Sequence, residues 1–442
     1  MKKNIAKKST EDKAVKVARA TTPQTLRGFK DILPEDQKFW QYINKTSESL
    51  LLSYGFDPIE TPILEETSLF VRGIGTGTDV VDKEMFSFVD QGGQKMSLRP
   101  EATASVARAY IEHGMLNLPQ PVKLFYWGPM FRHERPQAGR YRQFHQLGIE
   151  LLGDANPVVD AEAILAGYSL MSELGVECTI QVNSIGCTEC RKQYRKLLLE
   201  HFRPYKKSLC ADCSVRYEKN PLRLLDCKEK NCQEIAQEAP QLIDHLCEEC
   251  RNHFMRVVGY LDELDISYVL NPKIVRGLDY YNRTVFEFWP IDDTFGQSAL
   301  LSGGRYDGLV ELLGGRATPA IGWAMGVERI AGKLRENKII IPPIYQAQVY
   351  VAQLGDVARK KSLRLFEELR KAGFKVLGNF SKDSLKTQLE LANRSKVKLT
   401  LILGQKEVND GTILIRDMES GIQETIPLDK VQKELQRRLV NS

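Results

Sequence analysis

The stretch that decides the fold is "VKLFYWGPMFRHERPQAGRYRQFHQLGIELLG", residues 122–153. Two apolar runs, Val122–Trp127 and Leu147–Leu152, flank a loop carrying Arg132, Arg135, Arg140 and Arg142. The spacing predicts two strands joined by a basic loop. The second strand contains a carboxylate, Glu150, and Gln146 lies four residues before it, so both side chains face one side of a sheet. A glutamate facing a sheet pocket is costly unless it meets a cation or a donor. Guanidinium groups bind phosphate oxygens in a planar, bidentate way that lysine does not reproduce, so the loop reads as a phosphate site. The plainer alternative is a surface hairpin with solvated charges.

Outward from that hairpin, the chain has the composition of a soluble globular protein: 442 residues, 42% hydrophobic and 27% charged. Roughly three domains are expected from such a length. No apolar stretch approaches the roughly 20 residues that span a bilayer, and the N-terminus has no apolar signal core, so a cytoplasmic location is expected. The net charge of +5 is uneven: +5 over residues 1–23, +6 over residues 344–442, and −6 between them. A basic C-terminal module beside an acidic body suits a polyanionic partner, although a solvated basic surface would read the same way. The Lys-rich segment 1–23 has no core-forming pattern and is expected to be disordered.

Helical spacing runs from Pro34 to about residue 54. "DPIETPILEETSLF" (57–70) reads as extended, with Pro58 and Pro62 marking an edge, and residues 85–98 as a hairpin around Gly92-Gly93. A helix follows at 101–113, then the quoted hairpin, a helix at 157–174 and a strand at 176–183. Residues 186–262 change to cysteines, charges and helical spacing, the mark of an insertion. Strand character resumes afterwards, and Pro342-Pro343 end it in a linker. The domains expected are therefore a tail over 1–23, a main body over 24–185 and 263–338, a Cys-rich helical insertion over 186–262, a linker over 339–343 and a module over 344–442. In that last module strands alternate with helices, which predicts a compact α/β unit with a largely parallel sheet.

Three further constellations carry chemistry. Arg276-Gly277-Leu278-Asp279-Tyr280-Tyr281 sits between apolar runs and suits a polar pocket with an aromatic wall, or else a loop whose tyrosines pack on the core. "SGGRYDGL" (302–309) could bring backbone near a nucleotide but lacks the spacing of a P-loop or a dinucleotide fingerprint. "GWAMGVERI" (322–330) ends in an apolar helix bearing Arg329, which suggests an anion partner or an interface ion pair.

Taken together, "RPEAT" (99–103), "FRHERPQAGRYRQFHQLGIE" (131–150), "VRGLDYYNRTVFE" (275–287), "GGRYDGL" (303–309) and "IGWAMGVERI" (321–330) resemble the class II aminoacyl-tRNA synthetases, and within them the histidyl-tRNA synthetase family. The resemblance runs over nearly the whole chain from about residue 24. Two small departures are Ala102 and Ser302, where the family usually has glycine. The fold it implies is an α+β catalytic core, a class II antiparallel sheet flanked by helices, with a helical insertion and a C-terminal α/β anticodon-binding domain. The function it implies is ATP-dependent activation of L-histidine to histidyl-adenylate, with release of pyrophosphate, and transfer to the 3′ end of tRNA(His).

Residue by residue, the resemblance assigns Glu101, Thr103 and Gln146 to the histidine backbone and Glu150 and Tyr281 to the two imidazole nitrogens, with Tyr280 and Tyr306 as walls. It assigns Arg132 to the α-phosphate, Glu134 to the adenine side, Phe144 to stacking on the base and Arg329 to the γ-phosphate. Arg276 approaches the α-phosphate from the histidine side, so Arg276, Arg132 and Arg329 are the catalytic cations. Mg²⁺ bridges the β- and γ-phosphates, Arg140 and Arg142 meet the tRNA acceptor stem, and the first class motif builds a homodimer. A histidine-sensing regulatory paralogue of the same family, acting on ATP phosphoribosyltransferase, is the alternative. It generally lacks the C-terminal module and has a degraded "RGLDYY", whereas this chain has the module and an intact "RGLDYY".

All nine cysteines lie between positions 178 and 250, which suits a reduced protein with a local thiol-rich module. Cys187, Cys190, Cys210, Cys213, Cys227, Cys232, Cys247 and Cys250 form four close pairs, enough for two tetrahedral Zn²⁺ sites. The first four by themselves have a zinc-ribbon spacing. Reduced, semi-buried thiols in a helical insertion are the competing reading.

Overall fold

The computed structural model describes residues 22–75, 78–136, 139–291, 299–343 and 345–440. The basic tail expected over 1–23 therefore lies outside the described residues up to position 21. The chain divides into two compact units, Met1–Ile339 and Ile340–Ser442.

The strands of the first unit are β1 (Asp57–Pro58), β2 (Leu64–Glu66), β3 (Ser87–Val89), β4 (Lys95–Leu98), β5 (Val122–Phe131), β6 (Gln143–Leu152), β7 (Cys178–Ser184), β8 (Tyr268–Leu270), β9 (Asn282–Pro290), β10 (Leu301–Arg305) and β11 (Ala320–Gly326). Eight of them form one sheet in the order β1-β5-β6-β11-β10-β9-β7-β8. It is antiparallel from β5 through to β7 and parallel at its two edge pairs. The hairpin expected from residues 122–153 is its centre, with Val122 opposite Leu152 and Phe131 opposite Gln143.

Cross-strand register divides the sheet into two faces. Phe125, Ile149, Trp323, Gly303 and Phe286 make one row across five strands, and Tyr126, Gly148, Ala324, Ser302 and Glu287 make the next. The first row belongs to the apolar face. Trp323 there donates its indole N–H to the Ala163 carbonyl at 2.9 Å, and Gly167 lets a helix approach Leu301 and Phe288. The second row is mostly small and leaves the other face open.

Helices α1 (Pro34–Ser53), α2 (Thr67–Ile74), α3 (Thr103–Glu112) and α4 (Pro157–Glu173) precede the insertion. The insertion itself contains α5 (Thr188–Phe202), α6 (Ala211–Lys219), α7 (Lys230–Gln237) and α8 (Glu248–Glu263). Short α9 (Leu309–Leu312) and α10 (Val327–Glu336) complete the unit. Helix α4 backs the apolar face, and α1 packs on α4 and α10. Asn156 caps α4 by accepting the Val158 N–H at 3.2 Å, with Pro157 at the first helical position. Tyr194, Leu198 and Phe202 of the insertion share one buried cluster with Tyr280, Tyr281 and Tyr306, so its apolar faces are continuous with the main core.

Two expectations need correction. Residues 57–70 are not one extended segment: β1 lies at the edge of the main sheet, β2 joins a separate three-stranded sheet, and Thr67 begins a helix. Leu69, Phe70 and Ile74 of that helix bury against Val80 and Ala104, a tertiary gain that outweighs the extended pattern of the preceding prolines.

The second correction concerns the other unit. Its strands β12 (Val349–Gln353), β13 (Val376–Gly378), β14 (Leu399–Leu403), β15 (Thr412–Asp417) and β16 (Gln423–Pro427) run in the order β13-β12-β14-β15-β16. The pairs β12/β13 and β12/β14 are parallel, while β14/β15 and β15/β16 are antiparallel, so the sheet is mixed. Helices α11 (Asp356–Lys371) and α12 (Leu385–Arg394) supply the parallel crossovers. The connections at 404–411 and 418–422 are too short for a crossover and force reversal. The first holds only α13 (Gln405–Asp410), and α14 (Val431–Val440) ends the chain's described part.

Candidate active site

A cavity of about 670 Å³ opens on the polar face of the main sheet, within the range of ordinary ligand clefts. Its deep end is built around Glu150 of β6, which is 1% exposed. Thr103 Oγ1 donates to Glu150 Oε1 at 2.7 Å, and the Tyr306 hydroxyl donates to Oε2. Burial pushes this carboxyl up to about 8, against the pull of the two hydroxyls, so it holds its proton through neutrality. Glu101 lies beside it, also buried, and accepts the backbone N–H groups of Thr103 and Ala104 at 2.8 and 3.0 Å. It thereby caps α3, yet burial still raises its pKa. Gln146 Oε1 and the Tyr126 hydroxyl are buried in this cavity and make no hydrogen bond within the described residues. Such atoms need a partner, and a small shift of either side chain would present it to a ligand in the cavity.

Tyr280, Tyr281 and Tyr306 wall this end, with ring centroids of Tyr280 4.6 Å from Tyr281 and 5.7 Å from Tyr306. Arg276 lies over the Tyr281 ring at 4.9 Å and donates to Glu287 Oε1 at 2.6 Å, while its Nε makes no hydrogen bond.

The other end is cationic. Arg132 is held by the Pro100 carbonyl at 2.8 Å and lies 5.6 Å over the Phe144 ring. Arg329, in the first turn of α10, donates to the Ala299 carbonyl at 2.7 Å. Burial lowers the Arg329 pKa, and the positive charges of Arg140 and Arg132 lower it further. Three guanidinium groups thus converge, with Glu134 3.9 Å from Arg132 and 3.3 Å from Arg140. A protein keeps like charges together where an anion belongs.

Of the residues expected at the site, Glu101, Thr103, Arg132, Glu134, Arg140, Phe144, Gln146, Glu150, Arg276, Tyr280, Tyr281, Tyr306 and Arg329 line this one cavity. Arg142 does not. Its backbone N–H donates to Gly28 O at 2.7 Å and its guanidinium to Glu134 O and Arg27 O at 3.3 and 3.5 Å. Gly28 has φ +89°, and a side chain there would run into the Arg142 stem at 2.8 Å. Arg142 therefore fastens the chain before α1.

Gly303 and Gly304 of "SGGRYDGL" also serve packing. They form β10, where a side chain on Gly303 would collide with the Gly322 carbonyl and one on Gly304 would meet the Thr284 carbonyl at 2.7 Å. Arg305 is fully buried, donating to Asp160 at 2.9 Å and Asp307 at 3.0 Å, and His253 Nε2 meets the other Asp160 oxygen at 2.8 Å. This network ties α4, α8 and β10 together behind the cavity. Ala102 is fully buried and Ser302 lines the cavity floor, so both small-residue departures fit where they stand.

Sequence reading missed Tyr126, Glu287 and Gly322, which alternation along β5, β9 and β11 could have supplied once register was known. It also missed Asp226, Lys228 and Gln233 of the insertion, which close one cavity wall. No sequence signal connects them to a site on a distant sheet.

The eight cysteines form two groups: Cys187, Cys190, Cys247 and Cys250, and Cys210, Cys213, Cys227 and Cys232. The first four in sequence are therefore not one set, because α5 and α8 bring the first pair against the last.

A largely antiparallel sheet with its cavity on one face, a buried glutamate below and converging guanidinium groups above, is the architecture of a class II aminoacyl-tRNA synthetase. The family model described as histidyl-tRNA synthetase matches residues 28–330, and the one described as anticodon binding domain matches residues 348–438. The histidine–tRNA ligase of Desulforamulus reducens is 45% identical over 91% of this chain and 96% of that protein. That of Dehalococcoides mccartyi is 44% identical over 94% of this chain and all of its own length. Among solved structures, apo S. aureus histidyl-tRNA synthetase aligns with a TM-score of 0.79 at 36% identity, covering 94% of this chain and 100% of that one. The chain belongs to the histidyl-tRNA synthetase family. A structure from Bacillus halodurans C, described as an ATP phosphoribosyltransferase regulatory subunit/histidyl-tRNA synthetase, shares the fold at TM-score 0.62 and 21% identity over 87% of this chain and 99% of its own. The regulatory alternative is not favoured over the ligase. No described helix is long and apolar enough to cross a membrane.

Proposed function

We propose that the cavity activates L-histidine with ATP and hands it to tRNA(His). The observation that carries this is the polarity of a single cleft, a buried Glu150 at one end and Arg132, Arg140 and Arg329 gathered at the other. Histidine lies at the glutamate end. Glu150 and Tyr281 meet the two imidazole nitrogens, one ring face lies on Tyr280 and Tyr306, and the α-ammonium takes Glu101, Thr103 and the free Gln146 oxygen. A side chain lacking those nitrogens would leave Glu150 and its neighbours unpaired, which is the strongest form of rejection a buried site has.

ATP lies along the guanidinium end with its base on Phe144 and Glu134 at the adenine. Arg132 holds the α-phosphate and Arg329 the γ-phosphate. The histidine carboxylate attacks the α-phosphorus in line, pyrophosphate leaves, and histidyl-adenylate remains. No side chain need act as nucleophile or base, because the attacking oxygen belongs to the substrate. The protein's part is to align the reactants and neutralise charge gathered in the transition state. Arg276, preset over Tyr281 with its Nε free, faces the α-phosphate from the histidine side. When bound, Mg²⁺ would supply charge neutralisation on the triphosphate, taking most of its ligands from phosphate and water. In the second step the terminal ribose hydroxyl of the tRNA attacks the adenylate carbonyl and AMP leaves.

Residues 348–438 bind the anticodon arm, as their +6 neighbourhood favours. The domain limits proposed are those of the sequence reading: 24–185 with 263–338, 186–262 and 344–442. A homodimer is supported by apolar side chains left exposed on the small sheet, namely Leu64, Phe88 and Val89, with Ile63 beside them. A cytoplasmic location goes with a tRNA substrate. The deciding experiment is ATP–pyrophosphate exchange with each of the twenty amino acids. Exchange with histidine alone is expected, and exchange with none would sink the ligase reading in favour of the regulatory one.

A further inference from the structure

Three helices of the insertion begin on a cysteine. Cys187, Cys210 and Cys247 occupy the capping positions of α5, α6 and α8, and Cys190, Cys213 and Cys250 follow in the first turns. Both sulfurs of each pair therefore lie at a helix N-terminus, where the macrodipole and free N–H groups favour anionic sulfur. The backbone already points N–H groups at them. Cys213 donates to Cys210 Sγ at 3.4 Å, Cys210 to Cys232 Sγ at 3.4 Å and Cys247 to Cys190 Sγ at 3.2 Å.

Within each group of four, all sulfurs lie within 4.8 Å of one another. The Cys187–Cys190 and Cys210–Cys227 sulfurs are 3.6 and 3.8 Å apart. A tetrahedral zinc with bonds of about 2.3 Å holds its sulfurs about 3.8 Å apart, whereas a disulfide requires about 2 Å. An iron–sulfur cluster interposes several iron atoms and would hold its four thiolates wider than this. Gly186, at φ +63°, leads into the first group, and a side chain there would meet Cys190 Cβ at 2.5 Å. Arg191 and Arg283 lie near enough to Cys187 and Cys250, and Arg216 to Cys213, for their charges to interact. A zinc with four thiolates is a dianion and needs such company.

We propose that the chain holds two structural zinc ions in nested tetrathiolate sites. The outer one, on Cys187, Cys190, Cys247 and Cys250, closes the two ends of the insertion on each other. The inner one, on Cys210, Cys213, Cys227 and Cys232, folds its middle. The inner site also has a consequence for the cavity. Cys227 lines it together with Leu225, Asp226 and Lys228, so this zinc fixes one wall of the substrate cleft. The proposal stands on the thiol geometry alone and does not depend on which amino acid the cleft takes.

The test is elemental analysis of the full-length protein purified in reductant without chelator. Two zinc equivalents per chain are expected. Cys190→Ser with Cys250→Ser should remove one equivalent, and Cys190→Ser with Cys213→Ser should remove both. A partition in sequence order would reverse those two results and overturn the nesting. Stripped wild-type protein titrated with Co²⁺ should develop thiolate charge-transfer and tetrahedral bands that saturate at two equivalents, which decides the matter even if the variants misfold. Zinc-free protein with all eight thiols reactive or joined as disulfides, iron in place of zinc, or a cobalt titration without those bands would overturn the proposal.

Discussion

Gly322 lies directly across the sheet from Glu150, and the carboxylate fills the space a side chain at 322 would need. The missing side chain on β11 is what lets a glutamate lie flat in the floor of the cleft. Gly322→Ala would force the methyl into Oε2 and against the Ile149 carbonyl, displacing the carboxyl and the β6 backbone that carries it. The KM for histidine should rise by at least about tenfold and by more than that for ATP, since the displaced atoms lie at the histidine end of the cleft. Steady-state exchange kinetics read both, and an unchanged histidine KM would show that Glu150 does not contact the substrate.

The Glu150 carboxyl has a second, thermodynamic signature. Its folded value of about 8 lies above the ordinary 4.5, because burial disfavours the charged form. Between those values the folded chain keeps a proton that the unfolded chain releases. This group's contribution is therefore fully present below about pH 4.5 and is lost as pH rises through 8. Glu150→Gln cannot ionise. The melting temperature of the variant relative to the parent should climb by several degrees from pH 5 to pH 8 and then level off. A difference that stays flat with pH would mean that the carboxyl titrates normally.

Arg276→Ala should slow adenylate formation more than it weakens ATP binding, because its charge counts most when the α-phosphorus is under attack. A loss of about 10²-fold in the chemical step is expected, the scale seen when one transition-state donor is removed. Presteady-state rapid quench separates the step from binding, and an unaltered chemical rate would remove Arg276 from the catalytic cations.

A chain ending at Lys338 should retain pyrophosphate exchange, since every residue that lines the cleft lies before it and the compact unit ends at Ile339. Charging of tRNA should fall by 10²-fold or on that order, as the phosphate contacts of the basic module are lost. Both assays are run on one sample whose mass has been checked for dimer. Equal loss in the two would make the module structural, and full charging would mean that it does not hold tRNA.

The sequence by itself determined the central hairpin, most of the strand–helix order and thirteen of the residues that line the cleft. Their signals are local: apolar runs along β5 and β6, a carboxylate four residues from Gln146, and arginines at the strand ends. Family motifs then joined segments far apart in the chain, from Glu101 to Arg329.

Only the tertiary structure decided which partners those segments meet. Arg142 reads like Arg140 in the sequence, yet one grips the backbone at Gly28 and the other lines the cleft, because the chain before α1 happens to pass one of them. Arg305 reads as part of a glycine-rich loop but is spent on Asp160 behind the sheet. The cysteines offered several groupings, and antiparallel closure of the insertion chose the nested one. Residues 67–74 became a helix because Leu69, Phe70 and Ile74 had a core to enter. Local pattern fixes which face of an element is apolar, whereas the pairing of one face with another depends on contacts between residues far apart in the chain, which no short window contains.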